Sequence, residues 1–161
     1  MKPLAINPDS VNIVSPLIAP NKIESNPIRI THVSPMQYRK AVYRIACFFR
    51  REFEYDFVQY GDEGKEDDPK HVAFLWIHPE AEGCSRGFRI PCIGATCFRY
   101  RDRPDQPARY TMQWVWFHPY WRCKGLLSKS WPDFKQEFGD FICELPISEA
   151  MTKFLEKQQR T

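Results

Sequence analysis

Apolar side chains recur every three or four residues between positions 38 and 53, and basic residues fill half of the positions between them. This spacing predicts an amphipathic helix with one face on a core. Ser34, Pro35 and Gln37 precede the stripe in the order typical of an N-cap, a first helical residue and a third helical residue. The predicted stripe consists of Tyr38, Ala41, Val42, Ile45, Phe49 and Phe53.

Apolar runs on both sides of this helix predict strands. One lies before it at 28–33, and three follow it at 72–77, 90–100 and 110–117. Turn-like segments at 83–87 and 101–107 separate the last three, so we expect an antiparallel meander.

The C-terminal third predicts two further helices with a strand between them. The first runs from Leu127 to Gly139, with Pro132 expected to kink or restart it near residues 130–131. A strand at 141–145 follows, and Ser148 then begins the last helix. The order is strand, helix, three strands, helix, strand, helix. It predicts an α/β (α+β) fold with a mixed, mostly antiparallel sheet of about five strands, whose last two strands are parallel because a helix connects them.

The N-terminal segment 1–26 differs in composition from the rest. It carries Pro3, Pro8, Pro16 and Pro20, and prolines at this density favour an extended arm over a helix. Its aliphatic side chains indicate that it lies against the domain or against a partner. Residues 27–161 are expected to form a single domain.

Charge and cysteine usage narrow the classes of function. The net charge of +3 permits an anionic ligand without indicating nucleic acid. Four arginines near one turn, Arg99, Arg101, Arg103 and Arg109, are diluted by two aspartates. The closest cysteines, Cys92 and Cys97, are not spaced for zinc, so we expect buried thiols and no metal site. Neither a signal peptide nor a membrane-spanning run is evident, and we expect a cytoplasmic protein.

The residues after the 110–117 strand carry the clearest chemical signal. Trp121-Arg122-Cys123-Lys124-Gly125-Leu126 forms a short basic turn that leads into a helix. The first amides of a helix lack intrahelical partners and lie at its positive end. Arg122 and Lys124 add side-chain cations, and Gly125 lets the backbone bend. The turn therefore predicts capture of a phosphate or pyrophosphate.

Residues 117–126 resemble the acetyl-CoA-binding segment of the GNAT superfamily of acyltransferases. Arg122 and Gly125 occupy the first two signature positions, and Leu127 stands at the last, where the family has Gly or Ala. The element order from 27 to 160 is also similar to the family's. The resemblance implies a short version without the two C-terminal strands, completed by a partner or by the N-terminal arm.

The resemblance further implies acetyl-CoA as acyl donor, bound where the fourth and fifth strands separate. Backbone groups around Trp116, Phe117 and His118 would pair with the pantetheine arm, and amides of the turn would hold the pyrophosphate. The remaining residues implied to bind the donor are Arg122, Cys123, Lys124, Gly125, Leu126, Leu127 and Ser148. Trp114 and Trp116 share a strand face that could line an acceptor pocket.

The implied reaction is direct attack of an amine on the thioester in a ternary complex. Glu144 is the candidate base, because apolar neighbours such as Leu145 and Ile147 favour a proton-accepting carboxylate. Leu155 stands where many relatives have a proton-donating Tyr. A non-catalytic acyl-CoA-binding or protein-interaction module therefore stays open as an alternative. The identity of the acceptor, a small-molecule, peptide or protein amine, also stays open. The formation of a homodimer stays open as well.

Overall fold

The computed structural model describes residues 3–12, 14–61, 65, 68–79 and 88–159. The predicted turn at 83–87 lies outside these residues. The strands are β1 (Leu17–Ile18), β2 (Ile28–Thr31), β3 (His71–Ile77), β4 (Phe88–Arg89), β5 (Cys92–Arg103), β6 (Gln106–Phe117) and β7 (Ile142–Cys143). The α-helices are α1 (Pro20–Ile23), α2 (Met36–Phe53), α3 (Leu126–Phe138) and α4 (Glu149–Gln159).

The main sheet has the strand order β2-β3-β5-β6-β7. Its neighbours are antiparallel except for β6 and β7, which are parallel because α3 returns the chain to the same end of the sheet. The predicted fold class, a five-stranded mixed sheet flanked by helices, is confirmed. The meander is formed by β3, β5 and β6.

Alternating side chains of the sheet fill two cores, one on each face. The α2-side core holds the predicted stripe of α2, and Tyr38, Val42 and Ile45 are almost completely buried there. The α3-side core is rich in aromatic rings, with Phe98 stacked on Phe138 at a centroid distance of 4.3 Å. The helices therefore cover opposite faces of one sheet, as their amphipathic patterns require.

The N-terminal arm packs on the α2-side core. Val11, Val14 and Ile18 are buried there, and β1 pairs antiparallel with β4. The arm is not uniformly extended, because a 3₁₀ turn at Pro8–Ser10 and the four-residue α1 interrupt it. A proline begins each of these turns, where its fixed φ favours helix and no N–H is needed.

The sequence analysis left open that the N-terminal arm completes the main sheet. Among the described residues, the arm does not pair with β7. Besides β1, its strand-like contact is a bridge between Val14 and Cys92. In the described part of the chain, β7 is therefore an edge strand.

Helix boundaries differ from the predictions at two places. Pro35, not Ser34, is the N-cap of α2, because the Ser34 hydroxyl accepts the Thr31 N–H at 2.9 Å instead. Helix α3 continues through Pro132 without restarting. Pro132 cannot bond to the Ser128 carbonyl, but both residues are exposed, so water can satisfy that carbonyl.

The strand predicted at 141–145 is shortened to β7. The pairing with β6 ends at Glu144, whose N–H donates to Met112 O at 2.9 Å, and Leu145 is exposed. Within the described residues, no helix combines the length and apolarity needed to cross a bilayer.

The packing of the arm makes a prediction about neighbouring residues. Ile18 is fully buried and Leu17 is 45% exposed. Ile18→Ala should lower the free energy of unfolding by about 2–4 kcal/mol through lost burial and a cavity. Leu17→Ala, the matched control, should cost less than about 1 kcal/mol. Urea denaturation measures both, and equal small losses would show that the arm is not part of the folded core.

Candidate functional site

Strands β6 and β7 are paired over only two residues each. Thr111 faces Ile142, and Met112 faces Cys143. Beyond Met112, residues 113–117 of β6 face no strand on this edge within the described part of the chain. The two parallel strands thus separate toward their C-terminal ends, at the place where the resemblance locates the acyl donor.

A β-bulge in β6 lies where the strands separate. Cys97 of β5 faces Trp114, and the next residue, Phe98, faces Met112, so Gln113 is the extra residue. Along a strand, successive residues direct their backbone N–H and C=O groups alternately to the two neighbouring strands. The extra residue of a bulge reverses this alternation for the residues after it. Thr96 fixes it by donating its hydroxyl to Trp114 O at 2.6 Å.

The reversal determines which backbone groups face the gap. His118 N–H donates to Ile93 O at 2.9 Å, on the β5 side. Trp116 is two residues earlier, so its backbone N–H and C=O also face β5. Those of Val115 and Phe117 face the gap instead. Among Trp116, Phe117 and His118, the geometry therefore offers a ligand there only the N–H of Phe117, because Phe117 O accepts from Arg122 Nε at 3.0 Å. Val115, which the sequence analysis did not select, is the second such residue.

A small cavity of about 50 Å³ lies in the gap. Its wall is mostly apolar, with Gln113, Glu144 and Ser148 among the polar groups. Glu144 and Ser148 were selected from the sequence. The lining residues are Phe49, Phe53, Tyr55, Met112, Gln113, Trp114, Val115, Cys143, Glu144, Pro146, Ile147, Ser148 and Met151.

The basic turn after β6 has two residues with positive φ. Cys123 has φ 59°, and Gly125, the N-cap of α3, has φ 76°. The first helical hydrogen bond runs from Lys129 N–H to Gly125 O at 2.9 Å. The amides of residues 126–128 precede it at the positive end of the helix.

Side chains leave this turn accessible. Cys123, Lys124 and Gly125 are exposed, whereas Leu126 and Leu127 pack against the α3-side core. Leu127 therefore occupies the last signature position with its side chain against the core. A Cβ built on Gly125 meets no atom within 4 Å, so the space around the turn is open.

The Arg122 guanidinium does not reach into the turn. It forms a two-pronged ion pair with Glu52, at 2.7 Å from Nη1 and 2.6 Å from Nη2, and its Nε donates to Phe117 O at 3.0 Å. Glu52 is 2% exposed and also accepts the Trp116 indole N–H at 2.6 Å. The expectation that Arg122 supplies a free cation is wrong. Its side chain fixes the turn to α2, and Lys124 is the exposed cation.

Glu52 was not selected from the sequence, although a signal was present. It lies three residues after Phe49 and thus continues the apolar stripe of α2, where a carboxylate requires a partner. Trp116 is likewise held by this cluster and by stacking on Phe48 at 5.3 Å. Trp116 belongs to the core, and Trp114 alone of the two lines the cavity.

His118 is buried and is the N-cap of a 3₁₀ turn at Pro119–Trp121. Its Nδ1 accepts the Tyr120 N–H at 3.3 Å, and Tyr120 in turn donates its hydroxyl to Asp9 of the arm at 2.5 Å. Burial and the nearby Arg122 cation lower the pKa of His118, against opposing effects of Asp9 and of a hydrogen bond with the Pro8 backbone. The imidazole is therefore neutral at pH 7 and holds the arm to the turn.

Glu144 is held by polar groups, and of the two apolar neighbours expected only Ile147 lines the same cavity. Its Oε1 accepts from Arg101 Nε at 2.7 Å and from the Thr111 hydroxyl at 2.8 Å. Arg101 Nη2 approaches the same oxygen at 2.6 Å. Leu145 is 84% exposed, so it provides no apolar surroundings. The carboxylate is oriented by an ion pair at the edge of the cavity.

Tyr55 is a cavity residue that sequence reasoning missed. Its ring stacks on Phe49 at 5.1 Å, and its hydroxyl donates to Pro146 O at 3.1 Å. Burial and the negative charge of Glu144 raise its pKa, so the phenol keeps its proton at neutral pH. No pattern in the sequence marks it, because it follows the end of α2 in an irregular segment.

Two further lining residues have simpler roles. Ser148 accepts the Met151 N–H at 3.2 Å and is the N-cap of α4. Burial raises the pKa of the Cys143 thiol to about 11, so it stays protonated and is a poor nucleophile.

No family model matches the chain, and no curated protein sequence matches it. Among the solved structures that align with most of it are two acetyltransferases. One is an aminoglycoside acetyltransferase from an uncultured soil metagenomic sample, in complex with sisomicin, at 10% identity and a TM-score of 0.47 over 83% of this chain and 84% of that chain. The other is a ribosomal-protein-alanine N-acetyltransferase from Brucella melitensis biovar Abortus 2308, at 15% identity and a TM-score of 0.38 over 92% and 91%. At these identities the likeness is one of fold.

The ion pair of Arg122 makes a prediction about stability. Arg122→Ala leaves the buried Glu52 without its countercharge and should lower the free energy of unfolding by about 2–3 kcal/mol, since the Arg122 side chain is 38% exposed and the pair is partly screened. Lys124→Ala, two residues away, should change it by less than about 0.5 kcal/mol. Urea denaturation compares the two variants. Equal stabilities would contradict the structural role of Arg122.

Proposed function

We propose that the protein is an acetyl-CoA-dependent N-acetyltransferase. The observation that carries this proposal is the gap between β6 and β7, which has open backbone groups on one wall and ends at the basic turn of α3. A thioester with a long arm and a pyrophosphate fits such a gap, because the arm needs a strand edge and the pyrophosphate needs amides.

The donor supplies an activated acetyl group. The amides of residues 126–128 and the exposed Lys124 would hold its pyrophosphate, with Cys123 and Gly125 shaping the turn through their positive φ angles. The backbone groups of Val115 and the N–H of Phe117 would pair with its arm, since Arg122 Nε already donates to Phe117 O. Arg122 acts through Glu52, by keeping the turn against α2.

Glu144 would accept the proton of the attacking amine. Arg101 and Thr111 occupy Oε1, and among the described residues no partner is assigned to Oε2. A carboxylate that is oriented at the cavity is suited to this task. The Tyr55 phenol lies on the same cavity wall and carries a proton.

A second candidate is an acyl-CoA-binding module without catalysis. Leu155 favours it, because the side chain at this position packs against the α3-side core and has no proton to donate. Donor binding is common to both candidates, and amine-dependent thiol release separates them. Homodimer formation remains a prediction for either.

Two substitutions at one position test donor binding. Gly125→Asn and Gly125→Asp have nearly the same shape, tolerate positive φ comparably and meet open space. Only Asp adds a negative charge beside the proposed pyrophosphate. Calorimetry should show acetyl-CoA affinity about tenfold weaker for Asp than for Asn, a difference of about 1.4 kcal/mol. Equal affinities would place the phosphates elsewhere.

Substitution of the proposed base tests catalysis. Glu144→Gln keeps an oxygen for Arg101 but cannot accept a proton, so kcat for thiol release with an accepted amine should fall about 100-fold or more. Acetyl-CoA affinity should stay unchanged. Glu149→Gln, an exposed carboxylate paired with Lys153 on α4, is the control. Full activity of Glu144→Gln excludes it as the base, and acetyl-CoA binding without thiol release for any amine favours the binding module.

A further inference from the structure

One face of the hairpin formed by β5 and β6 is rich in arginine. Arg99 faces Thr111 and Arg101 faces Arg109 across the two strands. Residues directly opposite each other, and residues two apart on a strand, share a face of the sheet. Arg99, Arg101, Arg109 and Thr111 therefore form one surface, here called the arginine face.

The arginine face continues the wall of the cavity. Cys97, two residues before Arg99, belongs to the α2-side core, so the arginine face lies on the α2 side of the sheet, beyond the residues that α2 covers. Glu144 belongs to both surfaces, because it lines the cavity and binds Arg101 and Thr111. A molecule that enters the cavity from this side passes the arginines.

The charges on this face do not cancel. Arg99 is paired with Asp68 at 2.9 Å, and Arg101 is paired with Glu144. Arg109 forms no ion pair with any residue in the described ranges and is only partly exposed. Like charges directly opposite on two strands destabilise the pair. The group of Arg101, Arg109 and Glu144 keeps one net positive charge, and a bound anion would relieve the repulsion.

We infer that Arg101 and Arg109 bind an anionic group, a carboxylate or a phosphate, on the amine acceptor. This inference rests on the proposed function and specifies its substrate class. A guanidinium has five N–H donors. Glu144 accepts from Arg101 Nε and from one N–H of Nη2, so the other N–H groups of Arg101 remain for an anion on the same surface.

The anion is not a phosphate of the donor. Eight residue steps of extended strand separate Arg109 from Phe117, which is about 26 Å, and the turn that would hold the pyrophosphate lies beyond Phe117. The cavity lies between the two cationic regions. The C-terminal end of β6 thus lies toward the site proposed for the acyl donor, and its N-terminal end lies toward the site proposed for the amine acceptor.

Strand geometry also limits the shape of the acceptor. Arg109 and Thr111, which binds Glu144, are two residues apart on β6, about 7 Å. An amine at Glu144 and an anion at Arg109 would be separated by a similar distance. We therefore expect an acceptor in which several bonds separate the amine from the acid group, such as an ω-amino acid.

Matched amines test this inference. Thiol release from acetyl-CoA is measured with 4-aminobutyrate against 4-aminobutanamide, and with 3-aminopropyl phosphate against 3-aminopropanol. Either anionic amine should have a kcat/KM about tenfold or more above its neutral counterpart. The pair with the larger ratio distinguishes carboxylate from phosphate. No preference in either pair would overturn the inference.

Two variants of the hairpin locate the effect. Arg109→Gln should reduce the preference to about twofold or less. Arg103→Gln removes an arginine of the same hairpin, opposite Gln106 near its tip, and should keep the preference. Equal preferences in wild type and Arg109→Gln would overturn the inference.

A binding measurement separates this inference from the proposed function. The products 4-acetamidobutyrate and 4-acetamidobutanamide are titrated without donor, and amide NMR shifts of β5 and β6 are followed. Binding that requires both the carboxylate and Arg109 supports the anion site even if no amine is acetylated, in which case only the proposed function fails. Shifts that depend on neither would overturn the anion site, whatever the enzyme assays show.

Discussion

The bulge at Gln113 decides which groups of β6 are free to bind a ligand. Before it, the backbone of Met112 is bonded to β7; after it, the backbone of Trp116 and His118 faces β5. Without the extra residue, the alternation would continue unchanged along both edges of β6. The bulge lies where β7 separates from β6, so the cavity, the open edge and the approach to the turn of α3 all depend on this one irregularity of the meander.

Side chains and backbone groups have different roles at the turn of α3. Arg122 joins the buried Glu52 and Trp116 in a cluster that fixes the turn to α2, and His118 holds the arm beside it. The amides and Lys124 remain accessible. The arginine that gives the motif its basic character is thus a positioning residue, and the anion site would consist mainly of backbone donors at a helix start.

Regular elements were predictable because their signals are local. The stripe of α2 and the apolar runs of the meander follow from spacing alone, and the parallel pair follows from the helix between them. Contacts between distant residues were not predictable. Glu52 and Arg122 are 70 positions apart, and so the expected free cation was wrong. Glu144 was selected from the sequence without its partner Arg101, since nothing in the sequence shows that the hairpin returns to the end of β7.

The central claim is that the open edge of β6 and the start of α3 form one continuous donor site. Amide NMR with coenzyme A added tests it most directly. The account predicts that the largest shift changes fall on Val115, Phe117 and residues 123–128, with small changes on α4 beyond Met151. Changes confined to another surface, with these amides unaffected at saturating ligand, would contradict it.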